Sequence, residues 1–335
     1  MDRFAARIER IWYAGAPVPW WLAMLVPVYR TLRRVLRAPY QLGWRKPVRL
    51  SVPVIVVGNL TAGGSGKTPL TIALVEALRA RGFRPGVVSR GYGGSQREAL
   101  LLDDLPTPDR VGDEPCLIRQ RTGAPIAVGR HRADAAALLL DRGVDVVIAD
   151  DGLQNLTLAR DIEICVIDGQ RRFGNGRVLP AGPLRESIER LGDIAFRVCN
   201  GGAAQLGETP MRLVGDMAVP VTRSADVRSL ASFAGQRVHA VAAIGNPERF
   251  FDGLRAHGID VVAHAFRDHH AFVEADLALG DAGPVLMTEK DAVKCTRFVG
   301  TNVWCVPVRA ELPPAFFNAI VERLGDLASP GSPKT

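Results

Sequence analysis

At 335 residues with 47% apolar side chains, the chain is long enough for two cores, or for one large core with an appendage, and too apolar for a disordered or fibrous protein. Its five cysteines (116, 165, 199, 295 and 305) are odd in number and lack CxxC spacing, which argues against a disulfide framework or a zinc site and fits a reducing compartment. The net charge of +7 does not indicate a nucleic-acid partner: residues 1–50 hold ten Lys/Arg against Asp2 and Glu9, a net of +8, so the rest of the chain sums to about −1.

The first element is amphipathic. On a helical wheel started at Trp21, residues Met24, Leu25, Val28, Leu32, Val35 and Leu36 fall within about 60° of it, and Arg30, Arg33, Arg34 and Arg37 fall on the opposite side. With Trp20, Trp21 and Tyr29 near one end, the pattern suits a helix lying in a membrane interface. Three other readings compete. The uncharged stretch 11–29 is barely long enough to span a bilayer, and Gly15, Pro17, Pro19 and Pro27 interrupt it. A signal peptide would place Arg7, Glu9 and Arg10 where an apolar region belongs. The third reading is a helix packed on the protein's own body. Monotopic attachment on the cytoplasmic face of a membrane is the expectation.

Residues 52–57 then form an apolar run that leads into Gly-Asn-Leu-Thr-Ala-Gly-Gly-Ser-Gly-Lys-Thr, residues 58–68, and an apolar helical stretch that begins at Pro69. A strand, a glycine-rich loop and a helix opened by Lys-Thr bind phosphate. Backbone N–H groups of Gly63, Gly64, Ser65 and Gly66 turn around phosphate oxygens, Lys67 reaches the β/γ-phosphates, and the Thr68 hydroxyl ligates Mg²⁺. The strict pattern asks for Gly six residues before Lys67, where this chain has Thr61. The ligand class is ATP or GTP.

Further strands are predicted at 85–89, 125–128, 145–150, 162–167 and 194–199, with the continuous Val/Ile/Ala character of a parallel sheet covered on both faces. An irregular patch at 201–235 is followed by strands at 237–244, 260–266, 284–288 and 302–308, with helices at 247–257 and 313–325. The expected organisation is an N-terminal membrane-interface segment (1–40), a P-loop catalytic domain (41–220), a smaller C-terminal α/β domain (221–327) and a disordered tail (328–335).

Several clusters carry chemistry. Strand 145–150 ends in Asp150-Asp151, and acids at a strand end beside a phosphate loop hold Mg²⁺ directly or through water. Asp113, in Gly112-Asp-Glu-Pro, suits either a helix N-cap or a general base. Arg185, in Leu179-Pro-Ala-Gly-Pro-Leu-Arg-Glu, suits a bidentate phosphate contact, with Arg132 a weaker candidate. Gln154 is a candidate for nucleotide or metal-bound water. Only five lysines occur, yet Lys67, Lys290 and Lys294 all sit in motifs.

In order, the P-loop motif, Ser89-Arg-Gly-Tyr-Gly, Gly112-Asp-Glu-Pro, Asp150-Asp-Gly-Leu-Gln, the 179–186 motif, Asp268-His-His and Thr288-Glu-Lys-Asp-Ala-Val-Lys resemble the tetraacyldisaccharide 4′-kinase family over roughly residues 10–310. That resemblance implies an ATP- and Mg²⁺-dependent kinase of lipid A biosynthesis at the inner membrane. It also implies that Asp113 removes the proton of the acceptor hydroxyl with His269 as its partner; His270 is the alternative. The substrate is then a tetraacyl glucosamine disaccharide 1-phosphate. The rival from another class is a membrane-cycling switch ATPase of the partitioning type, whose signature Lys before the Gly-Gly pair is Ala62 here. A cytosolic P-loop enzyme acting on a soluble metabolite leaves the arginine-rich helix unexplained.

Overall fold

The computed structural model describes residues 3–102, 106–222, 226–297, 300 and 302–328. The apolar run at 52–57 becomes strand Val54–Gly58, buried along its whole length, and takes a central place in a nine-stranded sheet. Across that sheet the order is Arg309–Glu311, Glu208–Val214, Phe196–Asn200, Ile162–Asp168, Val54–Gly58, Val146–Asp150, Pro85–Ser89, Ile126–Val128 and Leu100–Leu101. The inner strands are parallel and only the two edge strands run antiparallel. This is the α/β, mostly parallel architecture expected from strands whose residues are apolar on both faces. One core packs helices Lys67–Arg79, Asp113–Thr122 and Pro314–Ala328 on one face; the other takes Arg132–Leu140 and, at its margin, Val26 and Tyr29.

A second, six-stranded sheet has the order Arg228–Ser229, Met217–Pro220, Val303–Val306, Val285–Thr288, Arg237–Ala242, Asp260–Ala265. Its core centres on Phe233, Phe251 and Trp304. The chain crosses between the sheets at 215–216 and again at 307–308. There Gly215 lies so close to Pro307 that a Cβ on it would sit 2.6 Å from the Pro307 carbonyl oxygen.

Two expectations need correction. The patch at 201–235 is not irregular: it contributes Glu208–Val214 to the first sheet and Met217–Pro220 to the second. Nor does the second unit keep the chain to 327, because Arg309–Glu311 returns to the edge of the first sheet and Phe316, Ile320 and Leu324 bury in its core. The physical reason is apolar burial: the closing helix finds its partners beside helix Lys67–Arg79, not on the smaller sheet. Of the expected tail, Ala328 ends this helix and 329–335 lie outside the described residues.

Helix Trp20–Gln41 forms where the wheel placed it, despite Pro27 and Pro39. Its inner face is docked on the body: Leu22 is buried, Tyr29 Oη donates to the Arg185 carbonyl (2.9 Å), and Arg33 and Arg37 donate to the two oxygens of Glu186 (2.8 and 2.5 Å). Its outer face is bare, with Trp20, Trp21, Met24, Leu25, Val28, Leu32, Val35 and Leu36 all exposed, Trp20 to 73%. No described helix is long and apolar enough to cross a membrane.

Candidate active site

The phosphate loop is set by strand, glycine and amide. Gly63 and Gly66 have φ of 102° and 94°, in the left-handed region that L side chains avoid. A Cβ on Gly66 would lie 2.3 Å from Asn200 Nδ2, and that amide donates to the Ser65 carbonyl at 2.9 Å. Asn200 therefore holds the loop from the end of strand Phe196–Asn200, two places along the sheet from Val54–Gly58, a contact that no motif announces. The Ser65 hydroxyl is buried and has no partner among the described residues, as expected of a group awaiting an anion. Lys67 is 8% exposed, and its Nζ lies 3.5 Å from Asp151 Oδ1 and 3.4 Å from Asn59 Oδ1.

The adjacent acids have different fates. Asp150 is fully buried; Thr71 Oγ1 donates to its Oδ1 at 3.2 Å, while Oδ2 has no partner among the described residues. Burial, then the charges of Glu114 and Asp151, raise its pKa above the ordinary carboxylate value. Asp151, at φ +47°, is gripped by Arg185 Nη1 at 3.0 and 3.1 Å. Burial works against its ionisation, but Lys67, Arg185 and Arg132 outweigh burial and hold its carboxyl well below the usual range. Thr71 lies four residues after Lys67, on the same helical face as it, and that spacing could have revealed it.

Arg185 and Gln154, expected to face ligand, are engaged within the protein. Arg185 also donates to Gln154 Oε1 (3.3 Å), and Gln154 Nε2 donates to the Asn59 carbonyl (3.0 Å). Arg132 is buried with its Nε unpartnered among the described residues, and its charge acts on both Asp151 and Asp150. The orphaned oxygen of Asp150 and the hydroxyl of Thr68, on the helix whose Thr71 bonds the same carboxylate, suit a hard cation. Among the described residues no three His, Cys, Asp or Glu side chains cluster to hold a metal alone. A cation here would need hydroxyl, water and phosphate oxygens as well, which is how Mg²⁺ is usually bound.

The second chemical centre lies where the two units meet. Gly112, at φ 91°, leads into helix Asp113–Thr122, and Asp113 is buried at its start. His269, a non-glycine residue at φ +59°, sets Nδ1 3.1 Å from each Asp113 oxygen. His270 turns away to Asp276 (2.8 Å), so the two histidines that the sequence left open are separated. Burial would raise the Asp113 pKa, but the hydrogen bond from His269 and the charges of Lys290 and Lys294 bring it below its ordinary value. His269 is shifted up: burial opposes its protonation and the Asp113 bond overcomes that. Tyr92 closes one side with its ring edge-on to His269, centroids 4.8 Å apart. Its loop is pressed onto the run before Asp113, since a Cβ on Gly94 or Gly112 would meet a carbonyl oxygen at 2.5 Å.

One cleft of about 570 Å³ runs from the phosphate loop to Glu114 and Lys290, the neighbours of Asp113 and His269. Gly64–Thr68 form one wall, Glu114 and Lys290 another, and Ile72, Leu213, Phe250 and Val306 supply apolar surface. The units are pinned across it by Arg249 to Asp168 (3.0 Å), Arg171 to the Gly245 carbonyl (2.8 Å) and Arg121 to Glu289 (2.8 Å). Behind the loop, segment 183–185 pairs with its root: Ala62 N–H donates to the Pro183 carbonyl (2.8 Å) and Arg185 N–H to that of Leu60 (2.7 Å).

The family model of tetraacyldisaccharide-1-P 4′-kinase matches residues 18–325. The chain is similar to the tetraacyldisaccharide 4′-kinase of Stenotrophomonas maltophilia, 53% identical over 94% of this chain and 96% of that one. It is 50% identical to that of Xanthomonas euvesicatoria pv. vesicatoria, over 98% of this chain and 99% of that one. Among solved structures, LpxK from Aquifex aeolicus in complex with ATP superposes with a TM-score of 0.73 at 24% identity, covering 90% of this chain and 99% of that one, a likeness of fold.

Proposed function

The chain belongs to the tetraacyldisaccharide 4′-kinase family, and from that premise we propose how its cleft transfers the γ-phosphate of ATP to the 4′-hydroxyl of a tetraacyldisaccharide 1-phosphate. The observation that carries this reading is the Asp113–His269 pair, flanked by Glu114 and Lys290 on the cleft that the phosphate loop also lines, with a buried Ser65 hydroxyl that has no partner among the described residues. Gly63–Gly66 cradle the triphosphate, helped by the N-terminal field of helix Lys67–Arg79, and Lys67 offsets β/γ charge. Thr68 and Asp150 would hold Mg²⁺, which when bound supplies charge neutralisation at the phosphates; Thr71 orients the Asp150 carboxylate. Asp151 acts through its ion pairs with Lys67 and Arg185, which fix the lysine beside the loop.

Asp113 takes the proton of the 4′-hydroxyl as its oxygen bonds to the γ-phosphorus and the bond to ADP breaks. His269 orients the carboxylate. Burial keeps the pair away from bulk water, and the depressed Asp113 pKa leaves the carboxylate ionised at neutral pH. Purified protein in detergent, given γ-labelled ATP and the lipid acceptor, is expected to label the lipid, and Lys67→Ala to lose that labelling. Label released only as free phosphate, with none in lipid, would replace this reading with that of the switch ATPase.

The same reading places the enzyme on the cytoplasmic face of the inner membrane, held by the outer face of helix Trp20–Gln41. What supports it is an exposed apolar stripe on a helix whose inner face is already docked. Met24→Glu, Val28→Glu and Leu32→Glu combined are expected to abolish sedimentation with anionic vesicles while detergent-assayed activity survives. Unchanged sedimentation would move the attachment elsewhere.

A further inference from the structure

Asp291 is a fully buried acid with no part in the chemistry assigned to the cleft. It stands in helix Glu289–Cys295, which follows strand Val285–Thr288 of the second sheet. Its Oδ2 has two donors, Thr288 Oγ1 at 2.6 Å and the Ala243 N–H at 2.8 Å. The Asp291 N–H in turn donates to Thr288 Oγ1 at 3.2 Å, so the helix cap and the carboxylate lock each other. Ala243 is the first residue beyond strand Arg237–Ala242, whose pairing with Val285–Thr288 ends at Val241. A buried amide at that point needs an acceptor, and the side chain of Asp291 supplies it.

The other side of the same peptide run carries His269. The Ala243 carbonyl accepts the His269 N–H at 3.3 Å, and one step back Ala242 accepts the Phe266 N–H at 2.8 Å. His269 stands at φ +59°, and a non-glycine residue keeps that conformation only where its surroundings hold it. From that backbone its ring reaches Asp113, 3.1 Å away. Two residues beyond Ala243, the Gly245 carbonyl takes Arg171 Nη1 at 2.8 Å, so the end of the run nearest the phosphate loop has a support of its own.

We propose that Asp291 is a positioning residue for phosphoryl transfer: through Ala243 it fixes the backbone of His269, and so the place where the imidazole meets Asp113. The inference rests on the reading of Asp113 and His269 as the pair at the acceptor hydroxyl. Without the carboxylate, the Ala243 N–H is buried and unpaired, the strand end shifts toward another acceptor, and His269 moves with it. A displacement of about 1 Å at reacting groups costs up to about 10²-fold in rate. Asp291 has a second route to the pair. Its Oδ1 lies 2.8 Å from Lys294 Nζ, and that ammonium lies 3.9 Å from Asp113 Oδ2. The two routes use different oxygens, which makes them separable.

Steady-state kinetics in detergent, with ATP and the lipid acceptor, compare Asp291→Ala and Asp291→Asn in the unmutated and His269→Ala backgrounds. The alanine variant is expected to lower kcat by about 10–100-fold with KM for ATP little changed, and to have no further effect once His269 is absent. The asparagine variant keeps an oxygen for the Ala243 N–H and removes only the charge facing Lys294, so it should retain most of the turnover. An unchanged kcat in the alanine variant, or equal losses in both backgrounds, would overturn the proposal. So would an asparagine variant as impaired as alanine, which would give the role to the Lys294 route. If the alanine variant does not fold, Asp291→Glu takes its place in the same cycle, since it keeps the charge and displaces the oxygen. His269→Ala alone separates the two failures: near-normal turnover there refutes the pair itself, whereas a large loss there with equal Asp291 losses in both backgrounds refutes only the role of Asp291.

Discussion

Asp150, bonded to Thr71 of the phosphate-loop helix, and Asp113, at the start of helix Asp113–Thr122, are both buried aspartates, and their surroundings drive them in opposite directions. Asp150 has one hydroxyl donor, a second oxygen without a partner among the described residues, and two acids nearby. Asp113 has an imidazole on both oxygens and two lysines within reach. Burial penalises either carboxylate to begin with; what differs is whether the protein itself supplies the compensating charge. Around Asp113 the compensation is built in. Around Asp150 it is not, which is where the proposed Mg²⁺ would supply it. On the proposed function, the contrast separates a carboxylate the protein keeps charged by itself from one that a bound cation would keep charged.

The largest effect that could break this comparison is on turnover. Asp113→Asn should cut kcat by about 10²–10⁴-fold with ATP binding largely intact; a loss below tenfold, or ATP binding lost in parallel, removes Asp113 from the chemistry. Next is the metal side, where Thr71→Val frees the Asp150 carboxylate to rotate. The Mg²⁺ concentration for half-maximal activity should rise roughly 10–100-fold, and an unchanged Mg²⁺ titration would show that Asp150 does not depend on Thr71.

A thermal comparison tests the signs directly, in chelator and without nucleotide. The Asp113 pKa is lowered in the fold, so its stabilisation is present above the unfolded value of about 3.9 and fades as pH falls through the folded one. Asp113→Asn should therefore lower Tm at pH 7 and lose that effect in acid. The Asp150 pKa is raised in the fold, so its charge destabilises above about 3.9. Asp150→Asn should raise Tm at pH 7, with the gap closing in acid. Shifts of the same sign would dissolve the distinction. Least affected is the neighbour: His270→Ala should leave turnover unchanged and stability within about 1 kcal/mol, since its pairing with Asp276 is near the surface.

Much of this was legible from local signals. The strand–loop–helix at 54–79 and the acids ending Val146–Asp150 follow from a short apolar run meeting residues of special chemistry. The bare face of helix Trp20–Gln41 follows from its periodicity. What local patterns do not carry is partnership between distant segments. Asn200 holding Ser65, Thr71 on Asp150 and the Glu186 clamp join residues whose types are unremarkable where they stand. Strand Arg309–Glu311 is only three residues long, too short for its alternation to mark a strand, so its return to the first sheet is decided by its pairing with Arg212–Val214. The choice between His269 and His270 needed a backbone angle, the left-handed turn at His269 that sends adjacent side chains to different partners.

The run from Pro183 to Glu186 serves two masters at once. One side is hydrogen-bonded to the root of the phosphate loop; the other is gripped by Tyr29, Arg33 and Arg37 of the outer helix. No slack separates them. On a lipid surface this makes the catalytic body a fixed bracket instead of a tethered float. Were the outer helix to lie in a lipid surface, as proposed, these contacts would set the height of the phosphate loop above the headgroups, and with it how far an acceptor would have to rise to reach the loop.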